Sequence, residues 1–233
     1  MRDLLLISTS TVHGTSYLEH AFEELRDLLG ARHRVLFIPY ALKDRDGYAA
    51  KARAAFEKIG YGVDSLHEVA SPEAAVDAAE AIFCGGGNTF RLLDSLYRQE
   101  LLSPIRRRVA AGMPYSGASA GANVACPTIR TTNDMPIVEP PSLDALGLVA
   151  FQINPHYLDP DAGSKHMGES RETRIREFHE ENVAPVVGLR EGAMLRVQDG
   201  VVMLKGVAGA RVFRAGQAPV EVTPPAVLSG LLE

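Results

Sequence analysis

Short apolar runs alternate with segments of helical length through the first half of the chain, and this alternation constrains the fold more than any other feature. Residues 4–7, 35–38, 63–69 and 81–84 read as strands, with helices between them over 16–29, 44–59 and 72–79. The first helix opens on a capping box, Ser16 to Glu19, carries Leu18, Phe22, Leu25 and Leu29 on one face and takes Gly30 as its C-cap. Apolar strands joined in succession by helices form a parallel sheet covered on both faces. The expected fold is therefore α/β, a doubly wound, mostly parallel sheet. After Gly192 the pattern becomes 193–197, 201–205 and 211–214, punctuated by Asp199-Gly200, Gly206 and Gly209, which predicts C-terminal antiparallel hairpins at one edge. With 233 residues, 46% of them hydrophobic, one catalytic domain over 1–233 can enclose a full core. Residues 128–141, with three prolines, fit neither helix nor strand; irregular segments of that length often carry function.

Several function classes are disfavoured at once. Cys84 and Cys126 are too few for a disulfide framework and lack metal-ligand spacing, so neither metal nor cofactor is expected. The apolar run at 4–7 is too short for a signal peptide or membrane span, and no later run is longer; a cytoplasmic protein with no membrane partner is expected. A net charge of −5 offers nucleic acid no attractive field, so an acidic substrate would have to be held by local cations.

The chemistry concentrates at Gly117-Ala118-Ser119-Ala120-Gly121, after the strand-like 113–116 and before the small residues 120–125. A serine on a sharp strand-to-helix turn exposes its hydroxyl and demands small neighbours, and the amide of Ala120 at the helix start can face a developing oxyanion. Gly85-Gly86-Gly87-Asn88-Thr89-Phe90 closes another strand at the same sheet edge, so an amide near Gly87 or Asn88 could supply a second donor. A dinucleotide site is disfavoured there, because Phe90 stands at the third-glycine position. Of the seven histidines, His156 is the best base, held after 148–154 by Pro155. His13, His20, His33, His67, His166 and His179 read as solvated side chains. The acid that orients His156 could be Asp134 or Glu191, and spacing does not choose. An α/β-hydrolase esterase, which shares the order serine, acid, histidine, is disfavoured by spacing, since only 15 positions separate Ser119 from Asp134.

Ser119-Ala120-Gly121-Ala122-Asn123, running on through Ala125-Cys126-Pro127-Thr128-Ile129-Arg130-Thr131-Thr132-Asn133-Asp134-Met135-Pro136-Ile137-Val138, resembles the bacterial peptidase E family, the alpha-aspartyl dipeptidases of serine peptidase family S51. The resemblance extends to the glycine segment at 85–90, to Gln152-Ile153-Asn154-Pro155-His156 and to Gly168-Glu169, Arg171 and Arg174-Ile175-Arg176-Glu177. It implies a flavodoxin-like sheet similar to that of class I glutamine amidotransferases. It also implies metal-free cleavage of small acidic dipeptides with an N-terminal aspartate, and it is compatible with a homodimer. By resemblance Ser119 is the nucleophile, His156 the base, and Asp134 or Glu191 the acid, with Asp134 favoured. Arg171 falls where the family has an arginine suited to the substrate's side-chain carboxylate. Ala118 and Ala193-Met194 stand where aromatic residues are expected, which implies an altered pocket. A cyanophycinase-like peptidase acting on β-aspartyl-arginine and a non-catalytic small-molecule binding protein on the same scaffold are the alternatives.

Overall fold

The helix-separated strands assemble into one large sheet with a smaller sheet beside it. The computed structural model describes residues 2–159, 163 and 168–231, so His166 lies outside the described residues. Strands β1 (Asp3–Ile7), β2 (Arg34–Ile38), β3 (Gly62–Ser65), β4 (Ile82–Cys84) and β5 (Tyr115–Ala118) run parallel. They are joined through α1 (Phe22–Leu29), α2 (Arg45–Glu57), α3 (Pro72–Ala78), α4 (Thr89–Arg98) and α5 (Leu102–Ala110). The short α6 (Ala120–Ala125) follows β5, then come β6 (Gln152–Pro155), α7 (Arg171–Glu181) and β7 (Val186–Leu189). The C-terminal strands are β8 (Ala193–Gln198), β9 (Val201–Gly206), β10 (Ala210–Phe213), β11 (Val220–Val222) and β12 (Ala226–Val227).

The large sheet has the order β12-β9-β8-β1-β5-β4-β2-β3. Its parallel part is covered on both faces, as its apolar strands require. Leu25 and Leu28 of α1 and Ala52 and Phe56 of α2 pack with Leu5, Val35 and Phe83 in one core. Leu92 and Leu96 of α4, Ile105 of α5 and Val124 of α6 pack with Leu4, Leu36 and Ile82 in the other. Each of the larger of these side chains, taken fully out of water, contributes about 1.5–3 kcal/mol. The predicted hairpin is present: β8 pairs antiparallel with β1 and β9, and its turn uses positive φ at Asp199 (51°) and Gly200 (79°).

Three local expectations are revised. Residues 63–69 remain a strand only to Ser65; Leu66–Glu68 form a 3-10 turn that still buries Leu66. The capping-box contact exists, with the Ser16 amide donating to Glu19 Oε2 at 2.7 Å. That contact opens a 3-10 turn, Glu19–Ala21, and the regular helix begins at Phe22. Finally, 211–214 does not extend the edge hairpin. The turn at Gly206, with φ 98°, leads β10 into a separate four-stranded sheet of order β11-β10-β7-β6, where β6 and β7 are parallel.

The irregular segment 128–141 is tied to β6 by directional polar contacts. Thr131 Oγ1 donates to Ile153 O at 2.8 Å, Asn133 Nδ2 to Pro155 O at 2.6 Å, and Asn154 Nδ2 to Thr131 O at 2.9 Å. It therefore holds the strand that leads into His156.

Candidate active site

Ser119 sits at the C-terminal tip of β5, in the middle of the large sheet, where the chain turns sharply into α6. Its backbone is strained, with φ 53° and ψ −108°, a region that L residues enter only when the surrounding structure holds them there. The constraint comes from both sides: the Ser119 amide donates to Ile7 O at 2.9 Å, and Ser119 O accepts from the Ala122 and Asn123 amides. Glycine at 121 lets the turn pack this closely, because a Cβ there would lie 2.1 Å from Cys84 O of the neighbouring strand and force backbone apart.

His156 follows β6 and is also at positive φ, 52°. Its Nε2 lies 2.9 Å from Ser119 Oγ and its Nδ1 lies 2.7 Å from Glu191 Oε1. With Glu191 a carboxylate, Nδ1 carries the proton, and the Nε2 lone pair is left to accept from the serine hydroxyl. Serine, imidazole and carboxylate thus form one continuous chain with the connectivity of a hydrolase triad. The loop bearing Glu191 is anchored by Arg190, which donates twice to Asp159 at 2.8 Å and also pairs with Glu221. Those two carboxylates raise the Arg190 pKa further above its ordinary value.

Asp134 takes a different place. Its Oδ2 accepts from the Thr89 amide at 2.7 Å and from Thr89 Oγ1 at 2.6 Å, at the start of α4. A carboxylate there complements the helix N-terminus and ties the 128–141 segment to the glycine turn, leaving Oδ1 without a hydrogen bond among the described residues. Asp134 lines the same cleft as Ser119 and His156.

The glycine turn at 85–87 borders Ser119 directly. Gly87, at φ 134°, lies so close to Ala41 O that a Cβ would come within 2.7 Å. The Asn88 amide donates to Ala41 O at 3.0 Å, and its side chain caps α4 by accepting from the Arg91 amide, so that N–H is already engaged. The amides of Gly87 and Ala120 carry no hydrogen bond among the described residues. Two uncommitted donors therefore border the serine, as stabilisation of an oxyanion requires.

Arg171 opens α7, half-buried, and makes no hydrogen bond or ion pair among the described residues. Burial, with Arg174 close by, lowers its pKa, while the Asp134 carboxylate acts in the opposite direction. A guanidinium stays charged throughout the working pH range.

Other contributors carried no sequence motif. Ser8 Oγ accepts from the His156 amide at 3.0 Å and donates to Leu189 O at 2.7 Å, linking His156 to the strand that leads to Glu191. Its signal was positional: the register pairs Ile7 with Ala118, which sets Ser8 beside Ser119 at the strand ends. Tyr48 packs on the glycine turn and contacts Tyr17 Oη at 3.2 Å; burial pushes its pKa up to about 12, so it stays a neutral hydroxyl. Ala118, Ala193 and Met194 are buried in the cores, away from the lining of the cleft. One group of described residues, Asp46, His67 and Glu68, gathers ligand atoms within 4.8 Å of one another. Its members are already paired internally, His67 with Ser65 and Asp46, and Glu68 with Arg53.

Residues 4–205 match the model of peptidase family S51. The chain is 55% identical to peptidase E of Streptomyces coelicolor over 99% of its length and 95% of the relative's. It is 51% identical to a Drosophila melanogaster protein named "Probable alpha-aspartyl dipeptidase", over 100% of this chain and 98% of the other. Among solved structures, a peptidase from an acI-B1 actinobacterium superposes with a TM-score of 0.74 at 19% identity, covering 98% of this chain and 97% of that one, a likeness of fold. No helix among the described residues is long and apolar enough to cross a membrane.

Proposed function

Because the chain belongs to peptidase family S51, we propose that it is a cytoplasmic serine dipeptidase that hydrolyses dipeptides with an N-terminal aspartate, using Ser119, His156 and Glu191. The observation that carries this reading is the unbroken chain from Ser119 Oγ through the His156 ring to Glu191, set beside two uncommitted amides. His156 Nε2 takes the serine proton as Oγ attacks the aspartyl carbonyl, and Glu191 stabilises the imidazolium that forms. The amides of Gly87 and Ala120 hold the oxyanion, while Asn88, its amide engaged elsewhere, positions the turn. His156 then gives its proton to the leaving amine, and water, deprotonated in turn by His156, releases aspartate from the acyl-enzyme.

Glu191 takes the role of acid in this proposal, and Asp134, favoured for it on resemblance, takes another. With Oδ2 committed to Thr89, Asp134 presents Oδ1 to the substrate's α-ammonium. Arg171, close enough to interact with Asp134, pairs with the substrate's side-chain carboxylate. The two opposite charges thus match the two charges of an N-terminal aspartate.

The test compares Asp-Leu with Asn-Leu on wild type and Arg171→Met, with an Asp-Arg isopeptide as the control for β-aspartyl-arginine cleavage. The variant is expected to lose about 100-fold in kcat/KM on Asp-Leu, the size of a lost charge-assisted pair, and far less on Asn-Leu. An Asp-over-Asn preference that survives in the variant removes Arg171 from recognition. Cleavage of the isopeptide in preference to Asp-Leu would reassign the activity.

A further inference from the structure

A dipeptide carries one charge that the residues assigned so far do not meet, the C-terminal carboxylate of its second residue. The cleft over Ser119, about 610 Å3, is lined by Asp134 and also by Tyr17, Asp44, Tyr48 and Lys51. The latter form a wall that belongs to α2 and the segment before α1, which pack on one face of the large sheet, whereas α4 and α6 pack on the other. Substrate bound across Ser119, with its aspartate on the Asp134 side, therefore places its second residue against the α2 wall.

The charges on that wall are unequally committed. The Asp44 side chain caps α2, accepting from the Gly47 amide at 2.9 Å. Burial holds Tyr17 and Tyr48 as neutral hydroxyls that contact each other. Lys51 alone is a cation with no hydrogen bond or carboxylate partner among the described residues. It is oriented rather than dangling, since its Nζ lies 4.7 Å from the centroid of the Tyr17 ring. Among the described residues it is the one lysine or arginine in the lining of this cleft; Arg171 stands outside that lining and meets it through Asp134. An ammonium group of this kind suits a terminal carboxylate, as a compact point charge with rotatable donors.

We propose that Lys51 recognises the C-terminal carboxylate of the dipeptide and so sets the length of substrate the enzyme accepts. This rests on the aspartyl dipeptidase reading above. An extended or amidated substrate has no charge at that point, and a third residue would displace the carboxylate from Lys51.

The experiment compares Asp-Leu with Asp-Leu amide, which differ only in that charge, on wild type, Lys51→Met and Lys51→Arg. Wild type is expected to favour the free acid at least tenfold in kcat/KM, mainly through KM. Lys51→Met should bring the ratio of the two substrates to within about threefold of one, and Lys51→Arg should keep most of the preference. A ratio that is unchanged in Lys51→Met overturns the proposal. So does a wild-type enzyme that cleaves acid and amide equally well, a result that needs no variant to fold. Failure of wild type to cleave either substrate would overturn the aspartyl dipeptidase reading itself, which separates that failure from one confined to Lys51.

Discussion

Ser119 rises from the centre of the eight-stranded sheet, between β1 and β4, whereas His156 and Glu191 follow β6 and β7 of the four-stranded sheet. Around the serine everything is packed: Ala118 and Ala120 are fully buried, and backbone approaches backbone through glycine. Around the base and acid the surroundings are open, with the His156 side chain 37% and that of Glu191 53% exposed. Their positions depend on directional contacts, those of Ser8, Asn133 and Arg190. The difference teaches that Ser119, the proposed nucleophile, is held by shape, and His156, the proposed base, by hydrogen bonds. Damage to the first half should therefore appear in stability, and damage to the second in rate.

A series of experiments can break or sharpen that contrast. The largest effect is expected of Ser119→Ala, which removes the attacking oxygen but leaves a residue small enough for the turn. Initial rates on Asp-Leu should fall at least about 1000-fold while the melting temperature stays close to that of wild type. Residual activity above about one per cent would put the chemistry elsewhere. Next comes Glu191→Gln, expected to lower kcat by about 100-fold or more through loss of imidazole orientation, again with little change in melting. Asp134→Asn should act chiefly on KM, because in the proposed mechanism Asp134 holds the substrate's ammonium and does not contact His156. If kcat instead fell further in Asp134→Asn than in Glu191→Gln, the acid would have to be reassigned.

Gly121→Ala tests the packed half. The added Cβ has to displace backbone at Cys84, which predicts roughly 1–3 kcal/mol of destabilisation, read as a lower urea midpoint. An unchanged midpoint would mean that the sheet centre yields more easily than its geometry implies. The smallest effect concerns Cys84 and Cys126, both fully buried, whose thiols are pushed up to about 12 by burial. Native enzyme at pH 8 should take up no iodoacetamide and keep its activity, with alkylation appearing only on denaturation. The same shift makes stability fall as pH rises beyond about 8.5, since the unfolded thiols ionise first.

Much of the packed half could be read from the chain. Close packing at a sharp turn requires a local run of small residues, and Gly117 to Gly121 is such a run. Parallel strands buried on both faces likewise leave uninterrupted apolar stretches. The Glu191 contact was not legible, because Asp134 and Glu191 are both acids in irregular segments, and nothing local separates a helix-capping carboxylate from one facing a histidine. Ser8 and Lys51 were equally silent, one a serine after a strand and the other a lysine on a helix.

The sequence by itself determined the parallel α/β architecture, the sharp serine turn, the family and the histidine that meets Ser119, since periodicity, small-residue runs and long motifs are properties of contiguous chain. Tertiary structure decided which acid faces His156, whether the Asn88 amide is free, how the second sheet brings its strand ends to Ser119, and which cation overlooks the far wall of the cleft. Each of these depends on where groups distant in sequence aim their donors, acceptors and charges. A hydrogen bond distinguishes one carboxylate from another only through distance and direction, and those exist only once the two sheets have packed side by side.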